Sequence, residues 1–249
     1  MTEIELYEEI GFWGVTAADF RQQLAKAKGG DVVLKINSPG GDVFDGIAIF
    51  NDLAKHPGNV AVEVTGLAAS AASLIAMAGD TITVASNAFL MIHNAWTIAL
   101  GDKRDMTATA EVLAQIDGAL ADTYVGRTGV DRAEVVQMMD DETWMNGAEA
   151  VERGFADSTG AAVEAKARFD LSCFAKAPAA LRAFSAPAGG PTIRDTERAL
   201  RDAGHSRAQA KTMAARILDA DPQRDAAGDA DDWAALAALV TTIAEGKKR

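Results

Sequence analysis

A single cysteine, Cys173, stands among 249 residues, which rules out an intrachain disulfide and points to a reducing compartment. There are only three histidines, His56, His93 and His205, scattered without ligand spacing, so no metal site and no cofactor is expected. Aromatic residues make up 6% of the chain, leaving alanine and glycine to do much of the packing, which suits close helix-on-sheet and subunit contacts. Lysine and arginine number 24 against 36 aspartates and glutamates, a formal net charge of −12. That balance disfavours a general nucleic-acid binder, whose affinity rests largely on neutralising phosphates. Long hydrophobic runs are also missing. The most apolar stretch, residues 66–79, is too short and too rich in small residues to span a bilayer. The first residues are acidic and lack the basic-then-apolar order of a secretory signal, so a cytoplasmic protein is expected.

What is present reads as alternating strands and helices. Residues 4–7, 32–36, 60–65, 81–84 and 89–92 have strand character, the third ending at Gly66. Helical patterns cover residues 16–28, with Thr16 as N-cap, then 44–53, 70–77 and the long stretch 106–127. Such alternation predicts an α/β layered fold with a largely parallel sheet, whose functional groups gather at strand ends. Residues 158–191 are dominated by alanine, proline, glycine and serine and read as a linker of low order. Beyond it, residues 192–200, 207–218 and 233–243 are helical in pattern. The arginines around Gly204 are offset by Asp195, Glu197 and Asp202, which favours a protein-docking module over a DNA-binding one.

Two short motifs carry chemistry. Ser70 lies among alanines in Gly66-Leu67-Ala68-Ala69-Ser70-Ala71-Ala72-Ser73, and His93 follows 23 residues later at the end of an apolar run. A serine hydroxyl becomes a useful nucleophile when a base takes its proton, and imidazole suits that role at neutral pH. A small-residue helix start and a core histidine would give the same pattern. A third feature changes the balance: Ile36-Asn37-Ser38-Pro39-Gly40-Gly41-Asp42 turns out of a strand through residues that leave backbone amides bare. Such amides are suited to holding an oxyanion.

In chain order, the Ser38-Pro39-Gly40-Gly41 turn, the Ser70 segment and Met91-Ile92-His93 resemble the ClpP family of serine peptidases, as does the later Glu142-Thr143-Trp144-Met145-Asn146-Gly147-Ala148-Glu149-Ala150. The resemblance spans roughly residues 3 to 158, and it is strongest to the ClpP-related head maturation proteases of phages and prophages. Those share Ile4-Glu5-Leu6-Tyr7 with the following Gly11-Phe12-Trp13-Gly14, Asp42-Val43-Phe44-Asp45-Gly46, and Glu142-Thr143-Trp144. It implies a spiral of βαβ units shared with the crotonases, a projecting handle helix at 106–127, and a small α-helical C-terminal extension. It also implies catalysis by Ser70 and His93, with Gly41 and Ala71 amides forming the oxyanion hole. Gapless matching puts Glu142 where the family usually has aspartate; Asp141 and Asp140 are adjacent carboxylates that could take its role. Ser73, Lys103 and Cys173 are weaker candidates for nucleophile or base.

The expected organisation is therefore a peptidase domain at 1–160, a linker at 161–191 and a helical extension at 192–249. The expected partners are copies of itself in a ring and capsid or scaffold proteins as substrates, with neither nucleic acid nor membrane. The resemblance ties ATP-driven unfoldases to a longer N-terminal segment, so ATP-independent cleavage is expected of a chain whose first strand starts at Ile4. A crotonase-like acyl-CoA enzyme and a non-catalytic scaffold protein are the rival classes.

Overall fold

The computed structural model describes residues 1–163, 169–179, 181, 198, 201 and 209–213. The chain divides into two units, Met1–Ala186 and Pro187–Arg249. In the second unit, Arg198, Arg201 and residues 209–213 are helical; the rest of the expected extension lies outside the described residues.

The first unit begins with strand β1 (Thr2–Leu6), helix α1 (Ala17–Ala25), strand β2 (Val32–Ser38) and helix α2 (Val43–Ala54). Thr16 caps α1 in a reciprocal box with Asp19, and Asp42 caps α2 by accepting from the Phe44 and Asp45 amides. Strand β3 (Val60–Ala69), helix α3 (Ala71–Ala76), and strands β4 (Thr81–Ala85) and β5 (Phe89–Ile92) follow. The long helix α4 (Lys103–Thr128), α5 (Arg132–Asp140), strand β6 (Thr143–Asn146), α6 (Gly147–Glu152) and strand β7 (Ser158–Gly160) complete the unit. The fold is a mixed α/β structure with a mainly parallel sheet, as expected.

Strand β3 runs three residues beyond its expected end at Gly66, and that extension organises the sheet. Its first part, Ala61 to Val64, pairs with β4, whereas Leu67 to Ala69 pair with β5. The sheet therefore forks along β3. The sheet order is β1-β2-β3-β4-β7, with β5 branching from β3 and β6 antiparallel to β5. Loops and helix starts collect at such a change of neighbour, which leaves room for a site at the strand ends.

Alternating Val32, Leu34 and Ile36 on β2 and Val60, Val62 and Val64 on β3 face helices through side chains that are almost wholly buried. All six residues of α3 are buried. Close packing against α2 requires small residues there: a Cβ on Gly46 would come within 3.0 Å of the Ala71 Cβ. Helix α4 has 26 residues and so is about 39 Å long at 1.5 Å per residue. Its buried side chains, Leu120, Ala121 and Tyr124, all lie toward its C-terminal end, while Met106 and Val112 are exposed.

The stretch expected to be a linker of low order departs from that expectation at residues 169–179. Leu171, Phe174 and Ala177 are buried against Leu67, Ala69 and Met91 of β3 and β5, with Phe89, Trp144 and Leu181 at the margin. Leu171, Phe174 and Ala177, spaced three apart, seat a segment whose overall composition is that of a linker.

Candidate active site

Ser70 sits at the junction of β3 and α3 with φ 54° and ψ −126°. Non-glycine residues adopt positive φ at a cost of about 1–3 kcal/mol, so the surrounding structure must hold this one. It does so through the Ser70 amide, which donates to the Met91 carbonyl at 3.0 Å, tying the turn to β5. The same strand carries His93 just past its end. The His93 Nε2 lies 2.8 Å from the Ser70 Oγ, so the two residues 23 apart in sequence form one hydrogen-bonded pair. Burial lowers the His93 pKa below its ordinary 6.5, the nearby Glu142 charge acting in the opposite direction. A neutral imidazole with a hydroxyl on its Nε2 is set up to accept that proton.

The lowered pKa has two consequences of known sign. The unfolded chain takes up a proton on His93 as pH falls through 6.5, while the folded chain does so only at lower pH, so His93 lowers stability progressively in that acid range. Reaction of Ser70 with a fluorophosphonate, followed against pH, is accordingly expected to keep its rate below pH 6.5 before the acid limb falls. An acid limb above that value would mean that the imidazole in solution is not the desolvated group seen here.

The turn after β2 approaches the serine closely. Ser38 Oγ donates to the Glu8 carbonyl and accepts from the Gly40 amide, shaping the Ser-Pro-Gly-Gly bend. Gly40 has φ 91°, and a Cβ there would lie 2.6 Å from the Ala69 carbonyl oxygen and 2.8 Å from the Ser70 Cβ. Only glycine fits. Bridging bonds to Ile10 use the Gly40 carbonyl and the Asp42 amide, so the bond pattern that fixes the turn does not engage the intervening Gly41 N–H.

Ser73 is removed from contention as a nucleophile. It is wholly buried, and its Oγ donates to the Ser70 carbonyl and pairs with the Tyr124 hydroxyl at 2.8 Å. Burial drives the Tyr124 pKa well above its ordinary value, so the phenol stays neutral. This contact fastens α4 to the helix that carries the serine. Tyr124→Phe is expected to lower stability by about 1 kcal/mol, the usual worth of one such bond, in a denaturant titration. An unchanged midpoint would show that the pairing contributes nothing. Cys173 is no better a nucleophile, since burial and then neighbouring Asp170 raise its thiol pKa.

The three candidate acids have different partners. Asp140 accepts from the Asn94 side chain, and Asp141 from Gln137 and from the Lys176 ammonium at 2.9 Å. Glu142 is the one whose charge acts on His93. Like Ser70, it has a positive φ, 49°, at the end of α5, where the chain reverses into β6. Its carboxylate nevertheless makes its hydrogen bonds elsewhere: Trp144 Nε1 donates to Oε1 at 3.1 Å, the Lys176 amide to Oε1 at 2.7 Å, and the Ala175 amide to Oε2 at 2.8 Å. Among the described residues, no hydrogen bond joins Glu142 to His93. The His93 ring instead meets Phe174 edge-on, with centroids 5.5 Å apart, and Phe174 meets Trp144 in the same manner at 5.7 Å.

Sequence reasoning missed Tyr124 and the whole of residues 169–177 as neighbours of the site. Tyr124 had been legible only as part of a helical stripe. The Leu171, Phe174, Ala177 spacing was the available signal for the second.

The model of the Clp protease family matches residues 16–162 of the chain. The "ATP-dependent Clp protease proteolytic subunit 1" of Chlamydia muridarum is 33% identical over 134 residues, 52% of this chain and 69% of that protein. The "ATP-dependent Clp protease proteolytic subunit" of Bacteroides fragilis is 31% identical over 163 residues, 61% of this chain and 79% of that protein. The matched range contains the forked β3, the Ser70–His93 pair, the glycine turn and Glu142. The chain belongs to the Clp protease family of peptidases.

Proposed function

We propose that the protein is a serine endopeptidase in which Ser70 is the nucleophile, His93 the general base and Glu142 the acid that orients the imidazole. The observation that carries this reading is the 2.8 Å contact between His93 Nε2 and Ser70 Oγ at a strained strand–helix junction. Ser70 Oγ attacks the peptide carbonyl as His93 takes its proton, and the imidazolium returns that proton to the leaving amine. Water, deprotonated by the same imidazole, then hydrolyses the acyl-enzyme. The Gly41 and Ala71 amides donate to the oxyanion. A crotonase-like acyl-CoA reaction uses backbone amides of this kind but gives the Ser70–His93 pair no task.

Copies of the chain form a homo-oligomeric ring, with the exposed N-terminal part of α4 as the handle that meets a facing ring. Met106 and Val112 supply its apolar contacts. Substrates are capsid or scaffold proteins cut during phage head maturation, a reading supported by the motifs shared with those proteases at both ends of the catalytic region. The reaction runs in the cytoplasm, that of the host if a phage encodes it; among the described residues no helix is long and apolar enough to cross a membrane. ATP is dispensable on unfolded chains, because peptide hydrolysis consumes no nucleotide. The helical extension at 192–249 recruits an assembly partner.

Fluorophosphonate labelling with mass-spectrometric site mapping tests the reading. Modification of Ser70, together with hydrolysis of a fluorogenic peptide, is the expected result. A chain inert to both reagents, with residues 169–177 in place and with their contacts on Glu142 and His93 removed, would instead be a scaffold protein that has kept the fold.

A further inference from the structure

We propose that residues 169–177 form an intramolecular latch that holds Glu142 away from His93 and keeps the full chain in a low-activity state until the segment is displaced. The inference rests on the serine-peptidase reading above. Several contacts, made by one short segment, converge on the catalytic end of the sheet. The amides of Ala175 and Lys176 bind the two oxygens of the Glu142 carboxylate, and the Lys176 ammonium reaches the neighbouring Asp141 at 2.9 Å. Phe174 stands edge-on to both the His93 and Trp144 rings. Leu171, Phe174 and Ala177 are seated on Leu67, Ala69 and Met91, the apolar face that adjoins the serine turn and the histidine strand.

The chemistry of the arrangement is that of a diverted acid. An orienting carboxylate acts by accepting the imidazole Nδ1 proton, which fixes the tautomer and stabilises the imidazolium as it forms. Glu142 carries its charge close enough to act on His93, yet its hydrogen bonds go to the segment and to Trp144. The Ser70–His93 contact is already made, so the missing element is confined to the acid. Bonds from N–H groups to a carboxylate are among the stronger neutral-to-charged hydrogen bonds, and two from successive residues hold it in a defined place. When the segment leaves, Glu142 loses both amide donors and Phe174 vacates the edge of the imidazole. The carboxylate is then free to turn to Nδ1.

Two full-length variants test the latch. Phe174→Ala removes the ring between His93 and Trp144. Lys176→Pro removes the amide donated to Oε1 and the ammonium on Asp141 while leaving the apolar seat in place, so it stands as the test if Phe174→Ala does not fold. The fluorophosphonate labelling rate of Ser70 is expected to rise at least about tenfold in the folded variants. The acid limb of that rate is expected to move to higher pH than in the parent, because a carboxylate on Nδ1 favours the protonated imidazole. Rates equal to or below the parent's, with an unmoved acid limb, would overturn the latch and make the segment an ordinary part of the catalytic body. Absence of labelling in the parent and in both variants would defeat the peptidase reading itself, and the latch with it.

Discussion

Ser70→Ala is expected to reduce peptide hydrolysis by roughly six orders of magnitude in the released state, to the rate supported by binding and oxyanion contacts alone, and His93→Ala to do nearly the same. At 1.36 kcal/mol per tenfold, that is about 8 kcal/mol of lost transition-state stabilisation. The two losses are alike because the groups act as one unit: without the imidazole the hydroxyl keeps its proton, and without the hydroxyl the imidazole has none to take. The 2.8 Å contact predicts a further result, that the double variant is scarcely slower than either single one. Peptide hydrolysis by purified single and double variants decides the matter, with circular dichroism to confirm folding. A Ser70→Ala protein retaining a tenth of the parent activity would exclude Ser70 as nucleophile. Ser73, buried and bonded to Tyr124, could not replace it.

Glu142→Ala is expected to cost on the order of 10²- to 10⁴-fold, because an oriented imidazole improves catalysis without being indispensable to it. The full effect belongs to the released state. It should therefore be measured in a parent that carries both Phe174→Ala and Lys176→Pro, since in the latched chain the carboxylate is bound to the Ala175 and Lys176 amides and contributes less. Asp141→Ala in the same parent is the matched control: there its carboxylate keeps the Gln137 side chain as its partner. If Glu142→Ala ran at the parental rate while Asp141→Ala were inactive, the acid would move by one position. The conservative Glu142→Asp variant sharpens the assignment. The family's usual aspartate is one methylene shorter, so partial activity in Glu142→Asp is expected to exceed that of Glu142→Ala. Equality of the two would mean that no carboxylate is needed at residue 142.

Much of the sheet was legible from local pattern. Val32 to Ile36 and Phe89 to Ile92 are short apolar runs bounded by turn residues, and both form strands where expected. Thr16 reads as a helix N-cap and is one, and the structure adds a reciprocal box with Asp19. The end of β3 was not legible, because Gly66 reads as a terminator in isolation. In the sheet, Leu67 to Ala69 are held as strand by β5, a partner more than 20 residues away. The short strand Thr143–Asn146 had no signal of its own either, its place depending on antiparallel pairing with β5.

For the site, residue type and spacing singled out Ser70, His93 and the Pro-Gly-Gly turn as candidates, and the family resemblance added an acid near residue 142. These are choices of chemistry, and chemistry is written in side-chain identity. What only the tertiary structure decided was which hydrogen bonds those groups make. Ser70 reaches His93 because β3 forks and lays its last residues beside β5. Ser73 is excluded because Tyr124, 51 positions on, takes up its hydroxyl. Glu142 is diverted because two backbone amides more than 30 residues away arrive at its oxygens. Backbone amides are the same in every residue but proline, so nothing in the sequence marks which of them will meet a carboxylate. Their direction is set by the fold, and here by a segment whose composition gave it no claim to be part of the site.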